Sequence, residues 1–203
     1  MDNSQIDYFG NNWWDSKTLL EAAHAIRRGV RADEFFCHSK YQSVREAITA
    51  SEFAMRRPWN RGWHVRMVPR DARFPDAELR SGSDVRQFEI VEADRRDRRR
   101  GDEYRAAVGK PEEFDFYDPG EEGTVALEEI SRVIRQKALK HYSPKPNLLI
   151  FVNLSEGEPT SLFAYQVSAQ FGHAFESAWL LWQSQTIRLW PNAAKIKRQA
   201  TMS

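Results

Sequence analysis

A single cysteine, Cys37, leaves no partner for an intramolecular disulfide, so the fold must rest on packing, and the chain reads as one from a reducing compartment. The N-terminus also lacks the basic-then-apolar pattern of a secretory leader, and the expected location is the cytoplasm. Long apolar runs are missing. A membrane span needs about 18 consecutive uncharged residues. The best stretch, Ser161 to Trp182, is interrupted by Gln166, Gln170, His173 and Glu176, so no membrane association is expected. Net charge is almost absent at +1, although 29% of residues are charged. Attraction to nucleic acid would therefore have to come from local clusters rather than from the overall field.

Familiar catalytic signatures are scarce as well. His24, His38, His64, His141 and His173 show no metal-ligand spacing, and no histidine pairs convincingly with Cys37 for nucleophilic work. There is no nucleophile elbow, no phosphate-binding glycine loop and no dinucleotide fingerprint.

What is present is enough for one sizeable core: 41% of 203 residues are apolar. The expectation is a single domain over 1–203, with an N-terminal helical extension at 1–38, a core at 39–190 and a basic tail at 191–203. Asp15 or Ser16 can cap a first helix carrying the stripe Leu19, Leu20, Ala23 and Ile26 before Gly29. Asp33 can cap a longer helical region reaching Met55 and ending at Pro58. Trp63 to Val68 alternates as a strand. Two further strands between Pro75 and Ala93 are joined by the turn Ser81-Gly82-Ser83.

The second strand of that hairpin has Val85, Gln87, Glu89, Val91 and Ala93 on one face and Arg86, Phe88, Ile90, Glu92 and Asp94 on the other. Apolar groups on both faces predict a strand covered on both sides. The run KPEEFDFYDPGEEG reads as a long loop. A helix resumes at Val125, with Ile130, Val133, Ile134 and Ala138 inward and Arg132, Arg135 and Lys140 outward. Asn147 to Asn153 follows as a buried strand, then a long helix from Pro159 and Ser161 to Trp182 containing a core His173, and a last strand at Thr186 to Trp190.

This order of elements predicts an α/β fold. Together with Pro75-Asp76 at a strand entry and Gln87-Phe88-Glu89 on the next strand, it resembles the PD-(D/E)XK, restriction-endonuclease-like superfamily over roughly Ser39 to Trp190. The resemblance implies a three-layer α/β/α core with N-terminal helices. It also implies a metal-dependent nuclease, or a nucleic-acid-binding protein derived from one, acting on a phosphodiester backbone. Asp76 and Glu89 would then be catalytic acids holding Mg²⁺ or Mn²⁺, because hard cations take carboxylate oxygens and activate water for phosphoryl chemistry. The family's lysine, two positions after the acid, falls on Val91. A second frame uses Glu92 as the acid and puts Asp94 at the lysine position. Arg86, Arg95 and Lys110 are candidates for the absent cation by proximity in sequence, and Glu46 or Glu52 for a further carboxylate. The Glu89 frame ranks first because Gln87 and Glu89 form a polar pair on a covered strand, which calls for a site or a partner.

Six arginines lie between Arg95 and Arg105 with Asp97, Asp102 and Glu103 among them, and Arg95, Arg98, Arg99 and Arg100 are the expected phosphate contacts. The same run reads as a solvated loop laced with its own ion pairs, which is what charge runs usually are. Trp13, Trp14, Trp59 and Trp63 could stack on bases, although core packing accounts for most of the seven tryptophans. The competing function is a non-catalytic protein-interaction scaffold, with the arginine run and the acidic loop from Glu112 to Glu122 as docking surfaces. In that case Asp76, Glu89 and Glu92 would be ordinary acids paired with basic side chains.

Overall fold

In the computed structural model the described residues are 8–56, 62–69, 74–94, 119–154, 159–183 and 185–191, with side chains from 125 onward in the fourth segment. They fall into two compact units that divide within one strand, between Gln87 and Phe88. The class is mixed α/β.

In the first unit, Asp15 ends a short strand β1 (Trp14–Asp15) and caps α1 (Ser16–Arg28), its carboxylate accepting from the backbone N–H of Lys17 at 3.0 Å and Thr18 at 3.1 Å. Leu19 and Ala23 are the buried stripe of α1, which packs on α3 (Gln42–Arg56). The buried positions of α3 include Val44, Ala47, Ala50, Phe53 and Ala54, at the three- and four-residue spacing of one helix face. The expected continuous helix from Asp33 to Met55 is instead α2 (Ala32–Cys37), a 3₁₀ turn (Ser39–Tyr41) and α3. The break comes at His38, whose backbone is extended at φ −91° and ψ 129°. Asp33 lies inside the first turn of α2 and pairs with Arg31, the residue at the cap.

Strands β2 (His64–Met67) and β3 (Ala77–Ser81) pair antiparallel, with β1 on the other edge of β2. Val65, Met67, Ala77 and Leu79 are buried. Gly82, at φ +61°, makes the turn from β3 into β4 (Asp84–Ala93), as Ser81-Gly82-Ser83 predicts.

The second unit holds the rest of β4, from Phe88, together with α4 (Pro119–Ala138), β5 (Asn147–Val152), α5 (Ser161–Phe171), β6 (Ser177–Trp182) and β7 (Gln185–Trp190). β4 pairs parallel with β5 and β5 parallel with β6, while β7 returns antiparallel to β6. Parallel neighbours need a crossover, and α4 and α5 provide the two connections. Ala93, Leu148, Ile150, Val152, Ala178, Leu180 and Trp182 form one core with Ala126, Ile130, Val133 and Ile134 of α4 and Phe163, Val167 and Phe171 of α5.

Two expectations are corrected here. The long helix to Trp182 ends at Phe171, and Ser177–Trp182 is a strand buried at every position. Consequently His173 is not a core helix residue but an exposed one in the turn after α5. Backbone helix also begins at Pro119, inside the run read as a loop. Both indoles of β6 have partners: Trp182 Nε1 donates to Leu154 O at 2.9 Å and Trp179 Nε1 to Ser177 Oγ at 2.7 Å, while Ser177 Oγ donates to Asn147 Oδ1 at 2.6 Å.

Leu180 is fully buried on β6. Leu180→Ala is expected to destabilise the protein by about 2–5 kcal/mol in chemical denaturation, as core truncations do. On α2, hydrogen bonds from Lys40 and Tyr41 hold the Glu34 carboxyl below the ordinary carboxylate range, and the Lys40 ammonium is raised in return by Glu34. A lowered folded-state pKa means that this contribution is present above the unfolded value and is lost as pH falls through the folded one. An NMR titration should place Glu34 low in the wild type and return it toward the ordinary range in Lys40→Met.

Candidate acid–lysine site on β4

Glu89 is a charged residue on a strand whose immediate neighbours are buried, and it is only 3% exposed. An ionised carboxylate there requires compensation. α4 provides it. The stripe Ala126, Ile130, Val133 and Ile134 turns that face of the helix toward the sheet, and Lys137 follows four residues after Val133 on the same side. Its Nζ donates to Glu89 Oε1 at 2.5 Å while its side chain stays 19% exposed. Lys140, just past the end of α4, reaches the same oxygen at 3.4 Å with a side chain 61% exposed. Both ammoniums therefore lie on Oε1. Among the described residues, Oε2 accepts no hydrogen bond.

α4 carries a second buried acid, Glu129, held by Arg132 Nε at 2.5 Å, and Arg132 in turn donates to Gln136 Oε1 at 2.9 Å. The helix thus presents an apolar stripe flanked by a connected polar row.

The other sequence-derived positions are distributed as follows. Asp76 is in the first unit, half-buried, just before β3, and its carbonyl accepts from Val68 N at 3.1 Å. Gln87, also in the first unit, donates to Glu78 Oε1 at 3.4 Å, and Glu78 is paired with Arg66 directly across β2 and β3. The polar pair of Gln87 and Glu89 therefore does have partners, as a covered strand demands. Glu92 lies on the opposite face of β4 from Glu89 and is exposed. Asp94, at the lysine position of the Glu92 frame, accepts from Asn153 Nδ2 at 3.4 Å.

Arg86 bonds Asp84 at 2.7 Å and lies over the buried Trp63 ring at 5.8 Å. Glu46 accepts from Gln42 at 2.7 Å and Glu52 pairs with Arg56 at 3.1 Å, both one turn apart on α3. Trp13 is half-buried beneath Arg66 and Arg80, whose guanidinium carbons stand 4.8 and 4.3 Å from its ring centre. Arg95, Arg98, Arg99, Arg100, Lys110 and Trp59 lie outside the described residues.

Lys137 and Glu129 are not among the sequence-derived candidates, and Lys140 enters there only as an outward-facing helix residue. A signal is present for Lys137: it continues the apolar stripe of α4, and an ionisable group in a core-facing position asks for an opposite charge. Which charge answers it is not readable locally, because Glu89 is 48 residues away.

The donor set bears on a divalent cation through one atom, since Glu89 Oε2 is a hard oxygen on a buried acid without a hydrogen bond from the described residues. Among those residues no group of three or more His, Cys, Asp or Glu side chains is gathered for a metal ion. Nor is any helix among them long and apolar enough to cross a membrane. Comparison with protein-family models, curated proteins and solved structures returns no match for this chain.

Removing one partner from a buried ion pair strands the other charge, which costs about 3–5 kcal/mol, whereas an exposed pair is worth about 0–1. Lys137→Met should therefore destabilise strongly and Lys140→Met hardly at all in urea denaturation. Adding Glu89→Leu to Lys137→Met should recover most of the loss. Equal effects of the two lysine variants would show that Glu89 is not discharged through Lys137.

Proposed function

We propose that this chain is a divergent metal-dependent nuclease, or a nucleic-acid-binding protein derived from one, with a restriction-endonuclease-like core. The observation that carries the reading is the contact of Lys137 with Glu89. The chemistry needs an ammonium beside the strand acid, Val91 cannot provide it, and α4 brings one to 2.5 Å of the carboxylate from another element. On this reading Glu89 would be a holder of Mg²⁺ or Mn²⁺, and such an ion, when bound, would supply Lewis-acid activation of water and of the phosphate. The Lys137 ammonium orients the attacking water and offsets the charge that builds on the phosphate. Asp76 and Glu92 as ligands, and Arg95, Arg98, Arg99 and Arg100 as phosphate contacts, enter through the family resemblance alone.

A second reading, a non-catalytic protein-interaction scaffold, is favoured by a different aspect of the same helix. Glu89 and Glu129 are both already paired with basic side chains, as structural carboxylates are.

The discriminating experiment incubates the full chain with single- and double-stranded DNA and with RNA, in Mg²⁺, Mn²⁺ or chelator. Under the nuclease reading, cleavage is metal-dependent and falls by about a hundredfold or more in Glu89→Gln and Lys137→Met, the scale of losing one transition-state contact. Asp76→Ala tests the first-unit acid separately. No cleavage of any substrate in either metal, together with no binding of DNA or RNA, would leave the scaffold reading.

A further inference from the structure

Two lysines on one carboxylate oxygen are one more than neutralisation requires, and they are not equivalent. Lys137 makes a short contact from a mostly buried side chain, whereas Lys140 makes a 3.4 Å contact from a side chain 61% exposed. Charge-assisted hydrogen bonds run about 2.7–2.9 Å, so the Lys140 contact is loose, and an exposed pair of this kind is worth about 0–1 kcal/mol. Lys140 can leave Glu89 at little cost while Lys137 keeps the carboxylate paired.

Its root is nonetheless fixed. Lys140 N donates to Lys137 O at 3.0 Å and Leu139 N to Arg135 O at 3.3 Å, so the last turn of α4 holds the Lys140 backbone next to Lys137. The negative end of the helix dipole opposes an anion here, at about half an elementary charge. With Lys137 on the acid, Glu89 does not need the Lys140 ammonium, and the half charge of the helix end offsets only part of it.

We propose that Lys140 is a phosphate-binding residue of this site, releasing Glu89 to take a backbone phosphate of a nucleic acid while Lys137 stays on the acid. This rests on the nuclease reading of Glu89 and Lys137 and adds the contact that holds the substrate. An ammonium is a point charge with three donors and no fixed fork, so it suits a phosphate oxygen in varied orientations and reads no base. The predicted contact therefore contributes affinity without sequence preference.

The test measures binding of a DNA duplex by the full chain in chelator, across a range of salt concentrations, for wild type, Lys140→Met and Lys140→Arg. Each phosphate contact to duplex DNA contributes about 0.9 to the slope of log affinity against log salt. Lys140→Met is expected to bind several-fold more weakly at low salt with a slope shallower by about that amount, and Lys140→Arg to keep the wild-type slope. All three should melt alike, since the side chain is largely exposed. An unchanged slope in Lys140→Met, or no duplex binding by the wild type, overturns the proposal. Cleavage is scored separately in metal. A changed slope without cleavage supports the phosphate contact and removes the nuclease reading, whereas cleavage with an unchanged slope removes the phosphate contact alone.

Discussion

The second unit is organised around the need to discharge one carboxylate. Glu89 is 3% exposed on the face of β4 that carries Val91 and Ala93, which pack into the core with α4. An uncompensated charge there would cost several kcal/mol, a large share of the stability of an ordinary domain. α4 meets that need with the same face that packs the core: Val133 and Ile134 bury apolar surface, and Lys137, one turn on, sets its ammonium on Oε1. Packing and electrostatics thus fix the helix in the same register. A hydrophobic pair of similar size would hold the helix at least as well, so stability alone does not explain why an ionic pair stands there.

That surplus polarity is what points to function. The proposal of phosphodiester chemistry takes up a buried acid with one oxygen paired and the other without a hydrogen bond from the described residues, beside one tight and one loose ammonium. These groups are drawn from two elements rather than from one strand. The scaffold reading takes the pairing as an end in itself and assigns no role to the loose lysine. The proposed nuclease would give each of the three groups its own part: Glu89 would hold a cation, Lys137 would serve water and charge, and Lys140 would meet a backbone phosphate.

Local features of the fold were legible in the sequence because they depend on local rules. Asp15 caps α1 through hydrogen bonds two and three residues away, Gly82 supplies the positive φ of the hairpin, and the apolar run from Asn147 is a covered strand. The segment before Trp182 misled because Ala178, Trp179, Leu180, Leu181 and Trp182 are all apolar, and a fully apolar run satisfies helical and strand periods alike. Only tertiary pairing with β5 and β7 decides between them. For the candidate site, the face of β4 carrying Glu89 was readable from alternation, and the absence of a cation at Val91 was plain. The replacement was not readable, since nothing local to Lys137 indicates the strand on which it lands.

The most direct test of the central claim, that Lys137 stands in for the lysine missing from β4, is a rescue measured as the metal-dependent cleavage rate. Val91 is two residues from Glu89 on the same face of β4, so Val91→Lys in the Lys137→Met background would put an ammonium back beside the acid from the strand itself. The account predicts that Lys137→Met lowers cleavage by about a hundredfold or more and that Val91→Lys restores a measurable part of it. Full cleavage by Lys137→Met, in protein that binds substrate and melts cooperatively, would contradict it.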